Sequence, residues 1–279
     1  MLGRAPRRLL SLAANSGARR IIRFSDARGD VHLALQAVEG GEASLLTGDL
    51  FQPASLREIG KAVDLDSTCS LMAPIDPPII LATGLNFHHH AAECGLPVPK
   101  SPILAFLKQP TAVQHPGLPI VIPAVCDPDT PEVDWEVELA VVIGSHCKDA
   151  TVENALDYVL GYTCANDISA RRWQLDVERT SGQWNRGKGF DTFLPLGPAL
   201  VLNEQGFDPH ALRLSLTVNV RPRGAPLLQY KCPTVPPPTP SPAPAPAPTP
   251  KSPMASMHSR LYLWLTGHCR LRLLSARVN

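Results

Sequence analysis

Apolar positions along this chain come in short runs rather than long helical stripes. Pro77 to Ala82, Ile103 to Leu107 and Ile120 to Ile122 are blocks of strand length, and prolines at 97, 99, 102, 110, 116, 119, 123, 128 and 131 cut between them. Proline donates no backbone hydrogen bond and presets its own φ, so this punctuation predicts short strands separated by turns. Glu132 to Leu139 alternates acidic and apolar residues with period two, which predicts a strand with its carboxylates on one face. The apolar run then continues to Ile143. A second run, Tyr158 to Asn166, ends at Asp167. Two stretches carry helical spacing instead: Ser55 to Val63, and Asp149 to Leu160, where Ala155, Tyr158 and Val159 are placed for one face. The class implied is α+β and β-rich, a sandwich or roll with few helices.

The pattern changes at both ends. The first 25 residues hold six arginines and no acid before Asp26, with leucines and small residues between, as in a mitochondrial transit peptide; import into the matrix is the expectation. Residues 26 to 72 read as a small N-terminal subdomain and 73 to 224 as the core. Residues 233 to 253 contain 11 of the 30 prolines, a composition that supports neither helix nor sheet ladders, so 225 to 253 is expected to be extended and solvated. The tail, 254 to 279, lacks acids and has one apolar stretch, Leu261 to Leu265; a short strand or a basic amphipathic helix at a membrane is the alternative there, and disorder outside the fold is the expectation.

Composition narrows the partners. Lys plus Arg is 26 against 25 for Asp plus Glu, so no charge excess steers the chain onto nucleic acid. No apolar run reaches the roughly 18 residues of a membrane span. Seven scattered cysteines without a C-x-x-C pair fit neither a disulfide framework nor a zinc knuckle, and read as reduced thiols.

The chemistry concentrates in a few places. Glu136 and Glu138, about 7 Å apart on one face of an otherwise apolar strand, would repel each other in a core. A hard dication resolves the repulsion; a half-exposed strand with a solvated acidic face is the alternative. Asp167, at the end of the next apolar run, supplies a third oxygen or else caps a helix. Three carboxylates without His or Cys favour Mg²⁺, Ca²⁺ or Mn²⁺ over zinc. In Gly84 to Glu93, Asn86 can cap a short helix on which His90 and Glu93, three apart, share a face; the carboxylate could orient an imidazole that takes a proton from water. Gly182 to Lys188 has the spacing of a phosphate loop, but Gly189 stands where Ser or Thr would bind Mg²⁺ and no apolar strand precedes it, which argues against nucleotide binding.

The strings Val133 to Gly144 and Gly161 to Arg171 resemble the metal-binding half of the fumarylacetoacetate hydrolase family, in particular a mitochondrial branch of it, and the resemblance covers about Ala73 to Gly224. It implies a mixed β-sandwich roll in which Glu136, Glu138 and Asp167 hold the metal. It further implies that His90 and Glu93 form the acid–base pair on a mobile lid helix. Lys188, in Gly187 to Phe193, would face the substrate's oxyanion, and Gln174 would contact the substrate. The implied substrates are β-dicarbonyl or 2-oxo acids, undergoing carbon–carbon hydrolysis, oxaloacetate decarboxylation or keto–enol tautomerisation, each through an enolate-like state. Family members are usually homodimers. After Asn219 the chain departs from the family pattern: neither a Thr-Gly-Thr-Pro loop nor a Gly-Val-Gly turn follows, which implies a roll incomplete at its C-terminal end, with unpaired edges. The competing reading is a catalytically inactive truncated variant whose Pro233 to Pro250 segment offers a polyproline helix to SH3 or WW grooves.

Overall fold

The computed structural model describes residues 19–36, 42–63, 65, 70–84, 97, 104–126, 132–204, 207–209, 212, 214–218, 229–231, 262–266 and 274–278. His90, Glu93 and the proline tract 233–253 lie outside these residues, whereas Gln229–Lys231, within the stretch expected to be extended and solvated, is a short strand. The N-terminal strands are β1 (Arg20–Ser25), β2 (Val31–Gln36), β3 (Ala43–Thr47), β4 (Arg57–Val63) and β5 (Ser70–Met72). The central ones are β6 (Ile80–Thr83), β7 (Leu104–Lys108), β8 (Val113–Gln114), β9 (Val133–Asp134), β10 (Val137–Ile143), β11 (Val159–Asn166), β12 (Ser169–Ala170), β13 (Leu194–Pro195) and β14 (Ala199–Leu202). β15 (Leu214–Val218), β16 (Gln229–Lys231), β17 (Tyr262–Thr266) and β18 (Leu274–Val278) follow. The α-helices among the described residues are short: α1 (Arg171–Leu175), α2 (Val177–Thr180) and α3 (Asn185–Lys188). None of the helices is long and apolar enough to cross a membrane. The β-rich class read from the sequence is the class observed.

An eleven-stranded mixed sheet runs in the order β4-β3-β2-β1-β14-β11-β10-β17-β6-β7, with β5 also on β1. Among the described residues only β17 and β6 pair in parallel within it. β10 is buried at every position, and so is β11 from Leu160 onward, because both faces of the sheet are covered. Alternation sends Ala140 and Val142 into a cluster with Ile21, Ile80 and Phe106, while Leu139, Val141 and Ile143 pack with Tyr162, Cys164 and Val201 on the other side. Glu138 has the parity of Ala140 and Val142.

Several local expectations are corrected. Ser55 to Val63 is not a helix: a 3-10 turn at Pro53–Ser55 leads into β4. Gly60 has φ +69°, where a right-handed helix cannot run, and it sits at an irregularity in which Ser44 pairs with Ala62 while Leu46 pairs with Glu58. Asp149 to Leu160 forms only a single 3-10 turn, Ala155–Tyr158, before Val159 joins β11; pairing with β10 and β14 outweighs the helical spacing, and Asp149 at φ 55° blocks an earlier start. Ile120 to Ile122 makes no strand. Pro119 and Pro123 flank it, and Val121 and Ile122 are exposed. Glu132 to Leu139 is two strands, β9 and β10, interrupted at Trp135 and Glu136. Residues 20 to 25, inside the expected leader, form β1, with Ile21 and Ile22 buried and β2 and β14 on its two edges. The tail, expected to stay outside the fold, also contributes: β17 lies on β10 and β18 on β15, so an acid-free strand pairs with β10 where unpaired edges were expected at the C-terminal end of the roll.

His115, just after β8, ties that strand to Ala73 at the start of the core, since its Nδ1 accepts a hydrogen bond from the Ala73 amide at 3.1 Å. Burial first, then the Arg23 charge, hold its pKa below the ordinary 6.5, with Asp76 opposing. A folded pKa lower than the unfolded one means that the unfolded chain binds more protons, so stability is lost as pH falls below about 6.5. Melting temperature should drop on acidification through this range, and drop less in His115→Gln; equal slopes for the two proteins would refute the assignment.

Candidate metal centre

The ends of two antiparallel strands build the site. In the β10–β11 register Val137 faces Asn166 and Glu138 faces Ala165, so Glu136, just before β10, and Asp167, just after β11, come out at the same level. The Asp167 amide donates to the Glu136 carbonyl at 2.8 Å and the Glu136 amide to Asn166 Oδ1 at 3.2 Å, which fixes both backbones. Glu136, Glu138 and Asp167 each place a carboxylate oxygen within 4.8 Å of the other two. All three are essentially inaccessible to solvent, at 1%, 0% and 0% exposure, so the solvated acidic face is excluded.

Cations balance this buried charge. Lys188, the last residue of α3, donates from Nζ to Glu136 Oε2 at 2.6 Å and Asp167 Oδ2 at 2.7 Å, and its ammonium lies 4.9 Å above the Phe106 ring. Lys108, the last residue of β7, sits 2.6 Å from Asp167 Oδ1 and donates to the carbonyls of Ile168 and Lys188. Arg171, opening α1, places Nη2 2.7 Å from Glu136 Oε1. Burial alone would lower the Lys188 pKa, but Asp167 and Glu136 outweigh it and hold the group above its ordinary value. For Lys108 burial wins: the pKa is pushed down, with Asp167 opposing and Lys188 adding to the depression. Among the described residues, Asp134, Glu136, Glu138 and Asp167 thus share one buried cluster with Lys108, Arg171 and Lys188.

A glycine makes the approach possible. A Cβ at Gly187 would lie 2.7 Å from the Gln174 amide nitrogen and 2.9 Å from the Ala170 carbonyl oxygen, so only glycine lets α3 close onto the backbone of α1 and deliver Lys188. Gln174 is 2% exposed, and its Oε1 accepts from Arg171 Nη1 at 2.8 Å.

Of the site residues read from the sequence, Glu136, Glu138, Asp167 and Lys188 are brought together, and Gln174 joins them through Arg171. Lys108, Arg171 and Asp134 were missed. The available signal for Lys108 was a lysine closing an otherwise apolar strand; for Arg171 and Asp134 no spacing marks the pairing, because β9 and β12 meet only in the fold. The three buried carboxylates offer a purely oxygen donor set whose oxygens lie close enough to share one ion, so these residues could hold a hard divalent cation such as Mg²⁺, Ca²⁺ or Mn²⁺.

Comparison with known proteins identifies the family. Residues 79–228 match the family model described as fumarylacetoacetate (FAA) hydrolase C-terminal. The mitochondrial oxaloacetate tautomerase fahd2 of Xenopus laevis is 43% identical over 183 residues, covering 65% of this chain and 54% of that protein. A fumarylacetoacetate hydrolase domain-containing protein 2 homolog of Dictyostelium discoideum is 43% identical over 159 residues, covering 54% of this chain and 50% of that one. The chain thus spans about half the length of these curated relatives. The crystal structure of a 2-hydroxyhepta-2,4-diene-1,7-dioate isomerase from Mycobacterium marinum superposes with a TM-score of 0.56 at 34% identity, over 71% of this chain and 70% of that one. The family match spans more than half of the sequence and takes in every carboxylate and cation of the buried cluster, and on that basis the chain belongs to the fumarylacetoacetate hydrolase family.

Proposed function

We propose that the chain is a divalent-metal-dependent enzyme of β-dicarbonyl and 2-oxo acids, with keto–enol tautomerisation of oxaloacetate as its reaction. The observation that carries this is the buried trio Glu136, Glu138 and Asp167 with the Lys188 ammonium among its oxygens. A hard dication held by the trio would supply Lewis-acid polarisation of a carbonyl oxygen. Lys188, kept cationic by two carboxylates, is an electrophile and not a base: its role is to meet the negative charge that develops on the enolate oxygen. Gln174 would position the substrate. A proton must leave the carbon between the two carbonyls and a proton must reach the oxygen; His90 and Glu93, outside the described residues, are assigned to carry it.

Tautomerisation ranks above hydrolysis and decarboxylation because it asks only for proton movement through an enolate, and because a 43% identical relative is an oxaloacetate tautomerase. That relative is also mitochondrial, which with the arginine-rich start of the sequence supports a matrix location for this protein. The test is the ultraviolet absorbance of enol oxaloacetate, followed with the purified protein and Mn²⁺. Acceleration beyond Mn²⁺ alone, lost on adding EDTA, is the expected result. A folded protein that adds nothing to the rate of Mn²⁺ alone would end the proposal.

A further inference from the structure

Asp134 lies outside the metal trio, yet its contacts reach both the trio and Gln174 through a single guanidinium. Arg171 donates from Nε at 3.0 Å and Nη2 at 2.9 Å to the same oxygen, Asp134 Oδ2, while Asp134 Oδ1 accepts from the Trp135 amide at 3.0 Å. The backbones are locked in the same place: Ser169 pairs with Asp134 across β12 and β9, and the Arg171 amide donates to the Glu132 carbonyl at 2.8 Å. With Nε and Nη2 committed to Asp134, the planar fork has one orientation left, and it puts Nη2 2.7 Å from Glu136 Oε1 and Nη1 2.8 Å from Gln174 Oε1.

We propose that Asp134 is a positioning residue that aims Arg171 so that Glu136 is held in its ligand position and Gln174 is fixed as a hydrogen-bond donor to the substrate. This rests on the carboxylate trio being a metal site that takes a 2-oxo acid. Arginine has donors only, so the Gln174 side chain must turn its carbonyl oxygen to Arg171, and its two amide N–H bonds are what remains for a ligand. The site therefore selects for an acceptor at that point, a carboxylate or carbonyl oxygen, and against a hydroxyl or amine acting as donor. Without the Asp134 charge, the strongest remaining carboxylate partner for the guanidinium is Glu136 itself. A bidentate Arg171–Glu136 pair would then compete with the cation for the Glu136 oxygens.

Isothermal titration with Mn²⁺ tests the first half. Asp134→Asn should raise the Mn²⁺ Kd by about 10- to 100-fold, the usual loss when the group orienting a metal ligand is removed. Asp134→Glu should recover most of that loss. The Asp134–Arg171 pair is partly exposed, at 18% and 22%, so melting of Asp134→Asn in EDTA should fall by no more than a few degrees, which separates positioning from folding. An unchanged Mn²⁺ Kd in Asp134→Asn, alongside lost Mn²⁺ binding in Glu138→Gln, overturns the inference and leaves the metal site standing. Unaltered Mn²⁺ binding in Glu138→Gln would instead remove the metal reading, and this inference with it. If Asp134→Asn fails to fold, Gln174→Met carries the second half, because methionine keeps the length of the side chain, adds no charge and offers no donor. It should weaken pyruvate binding to the Mn²⁺-loaded protein by 10-fold or more, on the order expected for a lost buried hydrogen bond to a charged group; parental pyruvate affinity would refute the donor assignment.

Discussion

Asp167→Ala should destabilise the metal-free protein by about 3–5 kcal/mol, the range for removing one partner from a buried ion pair. Its carboxylate serves two fully buried ammoniums at once, Lys108 on Oδ1 and Lys188 on Oδ2. Alanine leaves Lys108 with backbone carbonyls alone and Lys188 with Glu136, and neither ammonium can reach water from 2% and 0% exposure. Urea denaturation in EDTA reads the effect directly. A loss under about 1 kcal/mol, the size typical of exposed pairs, would mean that the two lysines are hydrated or paired by other means. Asp167→Asn, which keeps the shape and removes the charge, should fall in the same direction.

Lys188→Met is expected to lower kcat by about 10²- to 10³-fold, the usual cost of removing a preorganised donor to a developing oxyanion. The same substitution has a second, opposite readout. Lys188 is the cation that lies between Glu136 and Asp167, so its removal leaves three clustered carboxylates more repulsive in EDTA and the metal-free fold less stable. Added Mn²⁺ should therefore raise the melting temperature of Lys188→Met by more than it raises that of the parent. A variant with parental kcat would exclude Lys188 from oxyanion stabilisation, and one whose metal-induced shift is no larger would exclude it as the charge that offsets the trio. Lys188→Arg should not restore the rate, since a planar five-donor fork cannot occupy the space of a point ammonium packed on Phe106.

What the sequence determined by itself follows from properties that act over a few residues. Proline's missing donor and the two-residue alternation of a strand were enough to give a β-rich chain, the two long central strands and the carboxylates at 136, 138 and 167, because side-chain direction repeats locally and an acid inside an apolar run is visible at once. The same local reading failed at residues 57–63 and 149–160. There the helical spacing was real, but β4 gains its ladder from β3, and Val159 onward gains its own from β10 and β14. Only the tertiary structure decided the cation partners. Lys108 reaches carbonyls 60 and 80 residues away, and Arg171 meets Asp134 from 37 residues on. Such pairs depend on which strand ends arrive at one level of the sheet and on how closely α3 can approach α1 across Gly187. Strand register and close packing are set by the whole buried core, so no spacing within the sequence records them.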